Sequence, residues 1–306
     1  MASARESDAE GAPASPRQRP RRYGRGRIAL CAALEALSRL CGGRAYYRRR
    51  HLARRALRVR HEHVRVDGLP AGLEGFRVLQ LSDLHAGPFL GAGDLAPAVQ
   101  LAGDLEPDLV VLTGDFISHR WSECEAVMGD LAGLRAKHGA FAVFGNHDYH
   151  GRQEGRIADA LAAVGVRVLR DESVRIDTGA GALGLVGVED LEESKRLDLE
   201  SARAGLRPED VELVLCHNPA GASAIERPGC AAILSGHTHG GQLDLPGLRR
   251  LGPPHPGDRV EFEHSTLIVS RGLGVSVLPL RIRSPAELVV VELSAQARRP
   301  CTAVSH

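Results

Sequence analysis

A chain of 306 residues with 43% hydrophobic and 25% charged residues is long enough for one large α/β domain or two modest ones, which excludes a short disulfide-stapled scaffold. Its net charge of +1 hides an asymmetry: residues 1–60 carry sixteen arginines against four acids, a net of +12, and residues 61–306 carry −11. The six cysteines, Cys31, Cys41, Cys124, Cys216, Cys230 and Cys301, show no Cys-x-x-Cys spacing, which fits a reducing compartment.

The basic part reads as a separate device. Residues 1–27 mix Ala, Pro, Ser, Gly and Arg with few large apolar side chains, and disorder is expected there. From Ile28 to Cys41 the sequence IALCAALEALSRLC puts Leu30, Leu34, Leu37 and Cys41 on one helical face. That stretch is interrupted by Glu35 and Arg39 and is shorter than the about 20 apolar residues a membrane span needs, so an interfacial helix is expected. Arg48, Arg49, Arg50, Arg54, Arg55, Arg58 and Arg60 follow, and each adds on the order of 1 kcal/mol of attraction near an anionic leaflet. Residues 28–60 are therefore expected to hold the protein peripherally on the cytoplasmic face of a membrane. Two other readings compete. Arg21-Arg22 ahead of an apolar stretch has the outline of a twin-arginine export signal, though Glu35 and Arg39 break its hydrophobic region. A nucleic-acid arm would fit the charge, but only Tyr23, Tyr46 and Tyr47 are available for stacking, so no nucleic acid is expected.

Past the turn Asp67-Gly68-Leu69-Pro70, strand-like and helix-like segments alternate. Phe76–Ser82, Leu109–Thr113, Phe141–Phe144 and Val166–Leu169 are predicted strands, with helices predicted at Ala92–Leu105, Ser122–Lys137 and Gln153–Val164. Such alternation implies βαβ units and a sheet covered on both faces. From Val174 to Val188 the pattern changes to short β-like pieces around Thr178-Gly179-Ala180-Gly181, a hairpin. A helix is predicted at Ser201–Leu206. Strands at Val211–Leu215, Ala231–Leu234, Leu267–Ser270 and Leu288–Leu293 would be buried by a second sheet packed on the first. Pro246, Gly247, Pro253, Pro254 and Pro256 mark a surface loop. No Gly/Ser-rich linker divides residues 61–296, which are expected to form one domain followed by a flexible tail at 297–306.

Strands of this series run into polar residues at their carboxyl ends, where ligands collect in α/β sheets. The stretch LQLSDLHAGPF delivers Asp83 and His85, and Thr113-Gly114-Asp115, Gly145-Asn146-His147-Asp148, Cys216-His217-Asn218 and Gly236-His237-Thr238-His239 repeat the arrangement. A single Asp-x-His is an ordinary surface loop; five such segments in order are a site. Asp83, His85, Asp115, Asn146, His217, His237 and His239 offer oxygen and nitrogen ligands without thiolate, a set suited to Mn, Fe or Zn rather than to a closed structural zinc. Seven ligands exceed what one ion can use, so two divalent metal ions sharing a carboxylate, with Asp115 as the bridge, are the simplest arrangement. Ions roughly 3.5–4 Å apart activate water and neutralise phosphoryl oxygens, the chemistry of phosphoester hydrolysis by in-line attack. Cys216 is read as a small buried hydrophobe and not as a ligand.

The ordered series Asp-x-His, Gly-Asp, Gly-Asn-His-Asp, His and Gly-His-x-His resembles the calcineurin-like metallophosphoesterase superfamily, over residues 76 to about 293. The resemblance implies an α/β four-layer sandwich, α/β/β/α, of two mixed sheets flanked by helices. It implies Asp83, His85 and His239 on the first metal, Asn146, His217 and His237 on the second, and Asp115 between them. It further implies that His147 is not a ligand but contacts the scissile phosphate and protonates the leaving oxygen, with Asp148 orienting its ring. Asp148 has a competing reading as a helix N-cap. Many members carry an Asp three residues after the bridging one. This chain has Ser118, which leaves open what orients His147. Phe116 and Ile117 stand where purple acid phosphatases place a tyrosine ligand, so a tyrosinate-bound ferric centre is not expected. His119 and His150 lie near the site mouth as polar loop residues, and Arg271 either meets a phosphate or closes a turn.

Within the superfamily, LSDLHAG, TGDFI, GNHDY, SGHTHGGQ and SRGLGVSVLPLRI resemble the membrane-associated bacterial branch that includes UDP-2,3-diacylglucosamine hydrolases of lipid A synthesis. That resemblance implies a membrane-borne pyrophosphate or phosphodiester substrate. The alternatives are a soluble nucleotide or general phosphodiesterase and a metal-loaded regulatory module without turnover. The intact His147 argues against the last.

Overall fold

The computed structural model describes residues 25–245 and 257–296. Most of the expected disordered leader, the proline-marked loop and the expected flexible tail lie outside the described residues. The described chain begins with α1 (Arg25–Leu40) and α2 (Gly43–Tyr47), and a wide helical turn at Arg48–Leu52 leads to β1 (Arg58–Val66). Next come β2 (Arg77–Leu81), α3 (Ala96–Asp104), β3 (Leu109–Thr113), α4 (Ser122–Leu131), β4 (Ala140–Val143), α5 (Glu154–Ala163) and β5 (Val166–Val168). The hairpin β6 (Glu172–Asp177) and β7 (Ala182–Gly187) precedes α6 (Leu191–Ser194), α7 (Leu199–Arg203), β8 (Val211–Leu215), α8 (Ala222–Ile225) and β9 (Cys230–Ser235). The chain closes with β10 (Arg259–Glu261), β11 (Thr266–Val269) and β12 (Glu287–Ala295).

Two six-stranded sheets result, ordered β1-β12-β2-β3-β4-β5 and β10-β11-β9-β8-β7-β6. Both are mixed: β12 runs antiparallel to β2 in the first, and β6–β7 and β10–β11 are antiparallel in the second. Inner strands such as β3 and β9 are apolar on both faces because both faces are covered. Alternate residues of one strand therefore enter different layers. Val78, Val111 and Val143 meet Leu185, Leu213 and Leu234 between the sheets. Leu79, Val110 and Ala142 pack with Val99, Val127 and Ile157 of α3, α4 and α5, and Val186, Val214 and Ile233 pack with Ala202 and Ile225 of α7 and α8. These are the four layers α/β/β/α that the resemblance implies.

The basic segment departs from expectation. The domain boundary expected at residues 60/61 falls inside β1, which pairs in parallel with β12 from Arg58↔Glu287 to Val66↔Ala295. Its sequence, RVRHEHVRV, is mostly charged because β1 lies at a sheet edge, where charge blunts edge pairing. Of its arginines, Arg60 is tied into the fold, donating to Glu287 at 3.1 Å and to the Val269 carbonyl at 2.8 Å. Tyr47 and Leu52 are fully buried in the core, and the Tyr47 hydroxyl donates to the Leu273 carbonyl at 2.5 Å. The domain therefore begins near Gly43, and only α1 remains as a device of its own. Among the described residues no helix is long and apolar enough to cross a membrane.

Candidate metal centre

All seven predicted ligands converge beyond the carboxyl ends of β2, β3, β4, β8 and β9, so the site straddles the edges of both sheets. Beneath it, the buried Gln80 amide ties the sheets together, donating to Thr113 Oγ1 at 2.9 Å and to the Ser235 carbonyl at 2.8 Å. The loops after β2 and β3 run side by side, with Asp83 N donating to Gly114 O and His85 N to Asp115 O. Five of the seven residues turn the chain through left-handed backbone: Asp83 (φ 50°), His85 (45°), Asp115 (55°), His237 (70°) and His239 (51°). Non-glycine residues adopt this region rarely, and clusters of it mark functional sites. Glycines make the close approaches possible. A Cβ on Gly145 would stand 2.3 Å from Asp115 Oδ1, and one on Gly236 would stand 2.3 Å from Asp83 Oδ2.

The donor atoms form overlapping groups. Asp83, His85 and His239 offer atoms within 4.8 Å of one another, as do Asp115, His217 and His237. His85 Nε2 and His239 Nε2 face each other at 2.9 Å, and His239 Nε2 lies 3.4 Å from Asp83 Oδ1. Asp115 Oδ2 stands 3.4 Å from both His85 Nε2 and His217 Nε2 and so belongs to both groups. Asn146 Oδ1 lies 3.0 Å from His237 Nδ1, which brings the amide into the second group. His217 Nδ1 donates to the Thr113 carbonyl at 2.6 Å, a bond that aims Nε2 into the site, where it has no hydrogen-bond partner. His85 Nδ1 is likewise buried and unpartnered. Buried imidazole nitrogens without hydrogen-bond partners, set among carboxylates, are a donor set that fits divalent cations.

The electrostatics point the same way. Burial, with His147 adding to the effect on His85 and His85 to that on His239, holds both well below the usual imidazole range. Burial with His217 beside it lowers His237 to about 4. Burial pushes Asp83 up to about 6, with Asp115 adding to the rise. Burial also disfavours charge on Asp115 and His217, but their mutual attraction wins: the carboxyl is held well below its usual range and the imidazole well above.

Several expectations change here. Asp148 does not orient His147. Its Oδ2 accepts from Gly145 N and Asp115 N, both at 2.9 Å, and its Oδ1 from Phe116 N at 2.7 Å and Ile117 N at 3.3 Å. It caps the turn that begins at Asn146 and braces the Asp115 loop. The Ser118 carbonyl holds His147 instead, accepting from its Nδ1 at 2.9 Å and from His150 Nδ1 at 3.2 Å. The role falls to a backbone carbonyl, which any residue at position 118 supplies. His147 also falls in a group with His85 and Asp115 that satisfies ligand distances. His119 is paired with Glu35 at 2.9 Å. Arg271 closes a turn, its guanidinium held on the Asp258 carboxylate. Cys216 is buried with its thiol pKa pushed up by burial, as expected of a core residue.

Three further side chains approach the ligands. Glu192 Oε1 on α6 lies 3.7 Å from His237 Nε2. Asp190, fully buried, caps α6 with one oxygen and leaves the other unpartnered near His217. Arg281, donating to the Tyr47 hydroxyl at 2.9 Å, approaches His239 Nδ1 at 3.5 Å.

A family model described as calcineurin-like phosphoesterase matches residues 76–241. A transmembrane protein with metallophosphoesterase domain from Bos taurus is 32% identical over 248 residues, 76% of this chain and 56% of that protein. Its counterpart from Danio rerio is 31% identical over 241 residues, 74% of this chain and 55% of that protein. Phosphodiesterase YaeI from Escherichia coli is 31% identical over 229 residues, 71% of this chain and 82% of the relative. The chain thus spans little more than half the length of the two vertebrate proteins.

Proposed function

The chain belongs to the calcineurin-like phosphoesterase family, and from that premise we propose that it hydrolyses a phosphodiester or pyrophosphate bond with two divalent cations. Asp83, His85 and His239 hold one cation, Asn146, His217 and His237 the other, and Asp115 lies between them. The observation that carries this reading is the shared carboxylate, with Asp115 Oδ2 at 3.4 Å from an imidazole of each group. When bound, the cations supply an activated water and neutralise charge on the phosphoryl oxygens. The protein's own part is position and proton control. The Ser118 carbonyl keeps the His147 Nδ1 proton in place, which leaves Nε2 to exchange a proton with the leaving oxygen.

The test is metal content beside turnover of bis-p-nitrophenyl phosphate. Asp115→Asn is expected to lose bound metal and at least 10²-fold in kcat, and a variant with both intact would refute the reading.

The substrate class rests on α1. Leu30, Leu37 and Leu40 are 60%, 59% and 86% exposed, and Glu35 on the same helix reaches His119 at 2.9 Å, one residue past the carbonyl that holds His147. An apolar helix face beside the site mouth, with Arg48, Arg49 and Arg50 exposed below it, suits an anionic bilayer and a lipid-linked substrate such as UDP-2,3-diacylglucosamine. This favours a peripheral position on the cytoplasmic face; the twin-arginine alternative rests on Arg21-Arg22, outside the described residues. Replacing Leu30, Leu34, Leu37 and Leu40 with Ser is expected to abolish flotation with anionic vesicles. Unchanged flotation, with equal rates on lipid-linked and soluble diesters, would leave a general phosphodiesterase.

A further inference from the structure

The arginine stretch between α2 and β1 encloses a cavity that the metal centre does not use. Arg50, His51, Arg55, Arg58, Arg281 and Arg283 line a volume of ≈ 350 Å³, and no carboxylate faces it. The arginines of this stretch divide into two sets. Arg44, Arg54 and Arg60 meet Asp94, Asp104 and Glu287. Among the described residues, Arg50, Arg55, Arg58 and Arg283 meet no acid. Four unpaired guanidinium groups are thus gathered on one cavity, where they repel one another, and Arg49, which also meets no acid among the described residues, lies outside it.

A second observation points to a ligand. His51 is 8% exposed, its ring is held against Tyr46 and Tyr47 with centroids at 6.1 and 5.1 Å, and its Nε2 is buried without a hydrogen-bond partner. A polar atom left so in a basic wall is matched by an acceptor entering the cavity. Arg281 has its donors occupied within the protein, on Tyr47, Arg271 and Ser284 among others, so it contributes charge alone. The other four arginines keep free forks, whose planar geometry suits phosphoryl oxygens bidentately.

We propose that this cavity is an anion site for a phosphate group, distinct from the metal centre and sharing with it only Arg281, which stands between the cavity and His239. The phosphate belongs either to a soluble anion or to a lipid headgroup.

Equilibrium dialysis of the full chain with labelled inorganic phosphate tests it. Wild type is compared with Arg55→Ala/Arg283→Ala and with Arg55→Lys/Arg283→Lys. The alanine variant is expected to bind one phosphate fewer per chain, or to bind that class at least about tenfold more weakly. The lysine variant, which keeps charge but not the fork, falls between. The difference between proteins carries the result, so it stands whether or not the metal centre also takes phosphate. If the alanine pair fails to fold by circular dichroism, His51→Phe removes only the nitrogen and should weaken the same class. Co-sedimentation with phosphatidic acid vesicles that inorganic phosphate reverses assigns the site to headgroups; vesicle-independent phosphate binding assigns it to soluble anions. Equal phosphate stoichiometry and affinity in all variants would overturn the proposal.

Discussion

Asp148→Asn separates two roles for a residue beside the candidate phosphate contact. Four backbone amides converge on its two oxygens, from Gly145, Asp115, Phe116 and Ile117, at 2.7 to 3.3 Å. Asparagine keeps one oxygen, so whichever way the amide turns, its NH₂ confronts a pair of N–H groups with no acceptor. Each stranded buried donor costs about 1–3 kcal/mol, so the pair gives an expected loss of about 2–6 kcal/mol. That is a large part of a typical stability of about 5–15 kcal/mol. Urea denaturation at pH 7 reads the loss as a lowered midpoint at unchanged slope. Because either freed pair includes amides of the loop that carries Asp115, Asp115 N in one case and Phe116 N with Ile117 N in the other, metal retention should fall with it. A variant with the wild-type midpoint and metal content, but with kcat lowered about 10³-fold, would show that Asp148 acts on His147 and refute the bracing role.

Other substitutions probe the remaining assignments. His147→Ala is expected to lower kcat by about 10²–10⁴ with metal content unchanged; loss of metal would make His147 a ligand of the group it shares with His85 and Asp115. Tyr47→Phe strands the Arg281 Nε donor and the Leu273 carbonyl, and should cost about 1–3 kcal/mol in urea denaturation. An unmoved midpoint would detach α2 from the domain. His51 gives a pH signature. Burial, then the guanidinium groups of Arg281 and Arg50, lower its pKa from 6.5 to about 4. Below about pH 6.5 the unfolded chain takes a proton that the fold refuses until about pH 4. Stability therefore rises with pH across that window, by on the order of 3 kcal/mol, and is flat above it. His51→Phe should remove this component, and identical stability profiles between pH 4 and 7 would contradict it.

What was legible from the sequence follows from what constrains it. Buried strands such as Leu109–Thr113 must be apolar at every position, and metal ligands must be particular residue types at strand ends, so both leave local marks. Strand β1 left none, because an edge position tolerates RVRHEHVRV and the partner that completes it, β12, lies more than two hundred residues away. Asp148 gives no local sign of its bracing of the Asp115 loop for a related reason. Its four partners are backbone amides, three of them about thirty residues earlier in the chain, and amides have no sequence signature. Arg281 lies within a quoted motif, yet its reach to Tyr47 and His239 depends on how the last loop folds back.

The left-handed turns at five candidate ligands show how the site is held together. Each such turn costs roughly 1–2 kcal/mol relative to ordinary backbone, so together they would relax if the loops were free. They are not free. Asp83 accepts from His237 N at 3.0 Å, Asp148 accepts from Asp115 N, and Gln80 fixes the spacing between the sheets from which the loops depart. Strain at the ligands is therefore balanced by bonds that do not involve a metal, so the donor atoms are near their places before any cation arrives. Selectivity among substrates must then come from the groups around this rigid centre. Glu192 beside His237, α1 across from His119 and the basic cavity behind Arg281 are the groups that border it.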